Sequence, residues 1–171
     1  MVLCTVPAAA MAQPLARHVL LRGADERGFA FVSNRRSRKG RHLAENPHAC
    51  LVFPWFPIGR QVVVTGQVVE ADRAESDAYW ETRPRGSQLA SMVSEQSSVI
   101  PDRASLERRF AEEQARYEGR PIPRPDHWGM FRLVPDSIEF WTHGEFRMHD
   151  RLLYERDDTA DGGWRVSRLS P

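Results

Sequence analysis

The stretch Gln61-Val-Val-Val-Thr-Gly-Gln-Val-Val69 is almost unbroken β-branched sequence, and it narrows the class of fold open to this chain. Branching at Cβ stiffens χ1 and favours an extended backbone packed on a sheet, so Gln61–Ala71 reads as a central strand. Shorter runs rich in Val, Leu and Phe occupy Met1–Val6, Leu15–Arg22, Gly28–Asn34 and Ala49–Trp55, separated by turn-like pieces such as Gly23-Ala-Asp-Glu-Arg-Gly28. Gly129–Val134, Ser137–His143, Arg151–Arg156 and Trp164–Leu169 read as four more strands. Helical patterns lie at Ser37–Asn46, ended by Asn46-Pro47, and at Arg73–Thr82, Gly86–Ser94 and Asp102–Tyr117. The last is capped by Asp102, stopped by Gly119 and carries Leu106, Phe110 and Tyr117 near one stripe. Pro121-Ile-Pro-Arg-Pro125 is a stiff connector. Without a βαβ rhythm, the pattern predicts a mainly β, α+β chain: an antiparallel barrel with flanking helices.

At 171 residues and 41% hydrophobic, the chain reads as one domain with a respectable core. A net charge of +1, with acids and bases interspersed, argues against a nucleic-acid or membrane-surface binder. No apolar run approaches the roughly 18 residues of a membrane span. The opening Met1–Ala12 lacks a basic start and is broken by Pro7, which argues against secretion and for a cytoplasmic protein. Cys4 and Cys50 are far apart in sequence without CxxC spacing, and read as reduced thiols, not a disulfide frame or a metal site. GxGxxG, Walker, HExxH and GxSxG signatures are all missing.

The basic side chains are 23 arginines and a single lysine, Lys39. It follows Ser37-Arg38 where a strand-like run gives way to a helix-like one, and Ser37 reads as the N-cap, so an anion can seat there. A chance survivor on a solvated helix face explains Lys39 equally well. Arg17 and Arg22 bracket one strand and point to opposite faces unless the strand bends; two solvent-facing arginines are the plainer account. Tyr79 and Arg83, four apart, share a helix face, and Ser87 follows after Pro84. Together they would make a phosphate pocket, against the alternative of an ordinary amphipathic helix. Arg147, His149 and Arg151 alternate, so an extended segment turns all three to one face, with Trp141 nearby offering a flat apolar surface. A solvated strand face competes with that reading. No nucleophile–base pair is evident; a surplus of anion donors fits a protein whose chemistry is supplied by a cofactor.

Several motifs in order then carry a resemblance: Ser37-Arg38-Lys39, Phe53-Pro-Trp55, Arg60-Gln61-Val62, Ser94-Glu-Gln-Ser-Ser98, Ile138-Glu-Phe-Trp141, Arg147-Met-His-Asp-Arg151 and Arg168-Leu-Ser-Pro171. From about Leu15 to Pro171 the chain resembles the pyridoxine/pyridoxamine 5′-phosphate oxidases. The resemblance implies a homodimeric FMN-binding split β-barrel with FMN in clefts between subunits. It implies FMN contacts from Arg17, His18, Val19, Leu20, Leu21, Val32, Ser33, Arg38, Lys39, Gln61, Gln96, Ser97, Trp141 and Arg151. Arg22, Tyr79, Arg83 and Ser87 would meet the substrate phosphate, and Arg147 and His149 would face the pyridine ring as the catalytic pair. The implied reaction oxidises pyridoxine or pyridoxamine 5′-phosphate to pyridoxal 5′-phosphate, with O2 as acceptor and H2O2 as product.

The chain departs from the family pattern in three places. Arg22 stands where the family usually has Lys. The family's N-terminal extension is missing, so residues 1–171 are expected to form a single domain without it. Ala8-Ala-Ala-Met-Ala12 replaces a polar turn between the first two strands. Two alternatives stay open: an FMN oxidase of a larger aromatic substrate, as in phenazine biosynthesis, and a flavin- or pyridoxal-phosphate-binding protein without turnover.

Overall fold

The computed structural model describes residues 1–8 and 12–171, so the Ala8–Ala12 departure lies largely outside the described residues. They form nine strands and four α-helices, an α+β fold built on an antiparallel sheet. In chain order these are β1 (Val2–Thr5), β2 (Leu15–His18), β3 (Gly23–Asp25), β4 (Gly28–Asn34), α1 (Arg38–Glu45), β5 (His48–Trp55) and β6 (Arg60–Glu70). Then follow α2 (Arg73–Glu81), α3 (Arg85–Val93), α4 (Arg103–Arg116), β7 (Trp128–Thr142), β8 (Asp150–Arg156) and β9 (Trp164–Leu169). The chain divides into two compact units.

The first unit comprises Met1–Phe31, His42–Val69 and Arg132–Pro171. It contains most of the sheet, whose strand order is β2-β1-β5-β6-β7-β4-β3, with β8 on β7 and β9 on β8. The β-branched run is β6, in the middle of that order, as its composition predicts. Val62, Val64 and Val68 alternate into a core with Leu3, Phe31, Leu51 and Leu133, the last four fully buried. That period of two is the signature of a strand with one buried face.

The strand pattern differs from expectation in three places. Gly129–Val134 and Ser137–His143 are one 15-residue strand, β7, running straight through Pro135. Proline supplies no N–H but its backbone is compatible with extended structure. Gly66 of β6 makes the room: a Cβ there would sit 2.0 Å from the Val134 carbonyl oxygen and 2.9 Å from Pro135 Cα. The turn-like piece before Gly28 contains a short strand, β3, paired antiparallel with β4. Its tight end is held by Asp25 Oδ1, which accepts from the Arg27 backbone N–H at 3.0 Å and from Arg132 Nη1 at 3.0 Å. The expected strand Leu15–Arg22 stops at His18.

The second unit comprises Val32–Arg41 and Glu70–Phe131. Its core is Trp80, Leu89, Ile122 and Trp128, with Val32, Tyr79, Met92, Phe110 and Tyr117 packed around them. The stripe expected on α4 therefore delivers Phe110 and Tyr117 to this core. Asp102 caps α4, accepting from the Ser105 N–H at 2.6 Å, and Asp72 caps α2 in the same way from the Glu75 N–H. Trp80 and Trp128 meet edge to face with ring centroids 4.9 Å apart, and Trp80 Nε1 donates to the Ile122 carbonyl at 2.8 Å. No helix among the described residues is long and apolar enough to cross a membrane.

Candidate functional site

In the second unit, β4 ends in Asn34 and the chain turns into α1 through Arg35–Ser37. Ser37 Oγ donates to the Asn34 carbonyl at 2.7 Å and accepts from the Gly40 N–H at 3.2 Å, so the hydroxyl caps the helix as its sequence position predicts. Gly40 is required: a Cβ would meet the Arg35 carbonyl oxygen at 2.2 Å. Lys39 reaches to Gln96, its Nζ donating to Oε1 at 2.6 Å and more weakly to Ser37 Oγ at 3.4 Å. Two residues that the sequence separates widely are thus joined, and Ser97 beside them holds φ +75°, a left-handed conformation that non-glycine residues seldom take. Arg38 occupies the first helical position with its side chain exposed.

Close by in the same unit, a cleft of about 150 Å3 is lined by Ser33, Arg83, Ser91, Gln96 and Trp128 among others. Arg83 lies across both indoles, its guanidinium carbon 5.2 Å from the Trp80 centroid and 4.8 Å from that of Trp128. Nη1 donates to Ser91 Oγ at 2.9 Å. Tyr79 stacks on Trp128 with centroids 6.4 Å apart and planes 7° from parallel. Tyr79 and Arg83 both meet Trp128, but Arg83 lies past the end of α2 at Glu81, so they are not on one helix face as their spacing predicts; the sequence reading did not single out Trp128 or Ser91. Ser91 lies one turn beyond Ser87 on the same face of α3, a spacing that could have found it; Trp128 carried no local signal. Ser87 sits in the first turn of α3, its backbone N–H bonded to the Pro84 carbonyl at 2.8 Å.

The Ser33 hydroxyl in this cleft is buried and has no hydrogen-bond partner. Buried polar groups are almost always paired, so an orphan needs a reason. The surrounding donors suit a phosphorylated aromatic ligand: one ammonium, one guanidinium, hydroxyls and an amide. These residues fit FMN, the cofactor implied by the sequence.

In the first unit, a larger cleft of about 670 Å3 is lined by Phe56, Gly59, Arg60, Gln61, Trp141 and His143. Gln61 and Trp141, both expected at a flavin, share this cleft. Gly59 takes φ +59° beneath His143, where a Cβ would lie 2.9 Å from the His143 Cβ, and the Gly59 carbonyl accepts from the His143 N–H at 2.8 Å. His149 packs against Trp141 at 4.7 Å between centroids and against His143 at 5.5 Å. Its Nδ1 lies 3.2 Å from the Gly144 N–H and accepts from it, so in the neutral ring Nε2 carries the proton and is the outward donor.

The expected alternation of Arg147, His149 and Arg151 on one extended face is not what forms. Residues 145–147 are a single 3-10 turn, with Phe146 at φ +53° and Arg147 at φ +66°. Gly144 lets the chain fold back, since a Cβ there would be 1.8 Å from the Met148 carbonyl oxygen. Of the three non-glycine residues at positive φ among the described residues, Ser97 and Arg147 are expected site residues and Phe146 adjoins one. Strain of about 1–3 kcal/mol per residue tends to gather where function needs it. Arg151 lies in β8 and is gripped fork to fork by Glu139, Nε–Oε1 2.8 Å and Nη2–Oε2 3.1 Å, while Nη1 donates to the Ser170 carbonyl at 3.0 Å. The Glu139 hydrogen bonds hold its pKa above the ordinary arginine value.

Arg17 is the third residue of β2, its Nη1 donating to Thr5 Oγ1 at 2.8 Å and the Leu3 carbonyl at 3.1 Å. His18 ends β2; the Val19 N–H still continues the ladder to the Met1 carbonyl at 3.1 Å, and Leu20 and Leu21 are exposed. Arg22 N–H then bonds the Ala30 carbonyl at 2.8 Å. Val32 and Ser33 lie near the end of β4, Ser33 buried and Val32 packed on the Trp80–Trp128 core.

Residues 1–117 match the family model described as pyridoxamine 5′-phosphate oxidase, and residues 128–171 match the pyridoxine 5′-phosphate oxidase C-terminal dimerisation region. Proteins named pyridoxine/pyridoxamine 5′-phosphate oxidase from Burkholderia vietnamiensis strain G4 and Burkholderia pseudomallei strain K96243 are each 53% identical over 159 residues. In both cases the match covers 93% of this chain and 74% of the relative. Among solved structures, PhzG from Burkholderia lata 383, in complex with tetrahydrophenazine-1-carboxylic acid, superposes with a TM-score of 0.89 at 33% identity, covering 99% of this chain and 81% of its own. An FMN-binding, pyridoxamine 5′-phosphate oxidase-related protein from Nostoc punctiforme shares the fold, with a TM-score of 0.75 at 19% identity over 99% of this chain and 86% of that one. The order of motifs, the antiparallel α+β fold and these matches converge: the chain belongs to the pyridoxamine 5′-phosphate oxidase family of oxidase-type enzymes.

Proposed function

We propose that this protein is an FMN-dependent oxidase that converts pyridoxine or pyridoxamine 5′-phosphate to pyridoxal 5′-phosphate, acting as a homodimer of single FMN-binding domains. The observation that carries this reading is Arg83, spread over two indole faces with its fork turned toward Ser91. Such a guanidinium is pre-organised for a phosphate monoester and costs little further side-chain entropy on binding. A substrate without phosphate would forgo the charge-assisted hydrogen bonds that a guanidinium makes to a phosphate.

Bound FMN supplies the two-electron acceptor, and O2 takes the electrons onward to give H2O2. The chain's own residues bind and orient. Arg17, His18, Val19, Leu20, Leu21, Val32, Ser33, Arg38, Lys39, Gln61, Gln96, Ser97, Trp141 and Arg151 are the residues proposed to hold the cofactor. Tyr79, Arg83, Ser87 and Arg22 would take the substrate phosphate. Arg147 and His149 are the proposed catalytic pair, orienting and polarising the pyridine ring through the guanidinium and the Nε2–H. Neither residue is asked to be an obligatory base.

The likeness to PhzG supports a second reading, oxidation of a larger, non-phosphorylated aromatic ring. One experiment separates them. Purified protein is mixed with FMN in air and given pyridoxine 5′-phosphate or, separately, a reduced phenazine carboxylic acid. Pyridoxal 5′-phosphate and H2O2 appearing in equal amounts support the first reading. Turnover of the phenazine alone transfers the assignment to the second, and tight FMN binding with neither product leaves a binding protein.

A further inference from the structure

Cys4 and Cys50, remote in sequence, are cross-strand partners: β1 and β5 run antiparallel with Cys4 opposite Cys50. Their row continues to Ala16 on β2 and Thr65 on β6, so no charged side chain stands beside either sulfur in that row. Both thiols are free, and both are half-buried on the face of the strands opposite buried Leu3 and Leu51. Directly opposed residues of antiparallel strands have Cα atoms about 4.5–5.5 Å apart. A disulfide bridges Cα separations of about 4.4–6.8 Å. The pair's Cα spacing therefore falls within the range a disulfide can bridge without a change of strand register.

We propose that Cys4 and Cys50 form a modification site, a thiol pair that a peroxide or a small-molecule disulfide oxidises to a strand-to-strand disulfide. With hydrogen peroxide, one thiolate attacks an oxygen, the O–O bond breaks, and a sulfenic acid and one water result. The second sulfur attacks that sulfenic sulfur, the S–S bond forms, and the hydroxyl leaves as a second water. The two thiols lose two protons and two electrons, and the peroxide is reduced to two waters. With a small-molecule disulfide the same two electrons pass by exchange, releasing two small thiols.

Two properties of the site follow. Burial, together with the neighbouring Cys4, pushes the Cys50 thiol up to about 11, so Cys50 is a slow nucleophile at neutral pH. Cross-strand Cβ atoms sit about 4.5–5.5 Å apart, wider than the roughly 3.8 Å of a relaxed disulfide. The bond is therefore strained and readily reduced, a reversible link and not a permanent staple. It also has a defined target. Leu3 and Thr5, the residues on either side of Cys4, supply the two acceptors that hold Arg17. Fixing β1 to β5 fixes the strand that positions Arg17. The chemistry of the pair does not depend on the flavin assignment.

The test uses the reduced full chain, incubated at pH 8.5 with hydrogen peroxide or, separately, oxidised glutathione, then denatured in an alkylating reagent. The expected result is loss of two hydrogens from the intact mass, a fall in alkylatable thiols from both cysteines to none, and recovery of both on addition of dithiothreitol. Proteolysis should yield one linked pair of peptides carrying Cys4 and Cys50, and the thermal midpoint of the oxidised chain should rise. Cys4→Ala and Cys50→Ala should each abolish the linked pair. Two alkylatable thiols after oxidation, sulfinic acid on either cysteine without linkage, or a disulfide joining two chains would each overturn the proposal. The peptide map is read on the unsubstituted protein, so it stands even if a variant folds poorly.

Discussion

Replacing Trp80 by Phe tests whether the indole pair of the second unit is both its structural centre and the seat of Arg83. Trp80 is 3% exposed and its Nε1 donates to the Ile122 carbonyl at 2.8 Å. Phenylalanine keeps one aromatic ring against Trp128 but removes the N–H, leaving a buried carbonyl unpaired at a penalty of about 1–2 kcal/mol. The lost ring area adds roughly 1 kcal/mol, discounted because the smaller ring still packs. The sum, about 2–3 kcal/mol, lowers the melting midpoint of a chain of this size by roughly 5–10 °C. Arg83 loses most of one of its two π faces, which weakens its placement by about 0.5–1 kcal/mol and lowers kcat/KM for the phosphorylated substrate roughly threefold. Calorimetry and steady-state kinetics read the two effects separately. A Trp80→Phe protein that melts within a degree of the parent would refute the argument, since the buried N–H and its carbonyl would then be energetically idle.

Arg83→Lys keeps charge but not the fork, and should lower kcat/KM for pyridoxine 5′-phosphate about tenfold, with Arg83→Met lowering it about 100-fold; equal values for the two variants would show that only charge matters. Ser33→Ala removes an unpaired buried hydroxyl, so the cofactor-free protein should melt no lower than the parent while FMN dissociation, read by flavin fluorescence, tightens or weakens; the fit argued above requires weakening by about fivefold or more. Gly66→Ala drives a methyl into the β7 backbone beside Pro135 and should cost about 2–3 kcal/mol or more, visible as a lower denaturant midpoint at unchanged slope. Asp77 is hydrogen-bonded by Arg124 at 2.6 Å, which lowers its pKa from the ordinary 3.8. Because the folded pKa is the lower one, this contribution is complete above the unfolded pKa and disappears as pH falls through the folded value. The melting midpoint should therefore hold from pH 7 to 5 and fall below about 4, and in Asp77→Asn that acid-side fall should be shallower.

Much of this protein is legible in its order of residues, because period and local chemistry are written in neighbouring positions. The β-branched run around Val62–Val68 determines a central strand with one buried face. Ser37 and Asp102 determine helix starts through hydroxyl and carboxylate caps that need only residues three positions away. Tyr79 lies on α2, but Arg83 lies past its end at Glu81, so the shared helix face read from their spacing gives way to a meeting over Trp128. Tertiary structure settled everything that depends on a remote partner. Pro135 reads as a strand break until Gly66 is found beside it, and Arg147 reads as one of an alternating row until the turn at Gly144 reverses the chain. Lys39 finds Gln96, Arg83 finds Ser91 and Trp128, and Arg151 is taken by Glu139. Cys4 meets Cys50 for the same reason. A one-dimensional pattern specifies which face a side chain occupies; the strand or helix packed against that face, and hence the partner each charge, hydroxyl or thiol meets, is set by long-range pairing that no local period encodes.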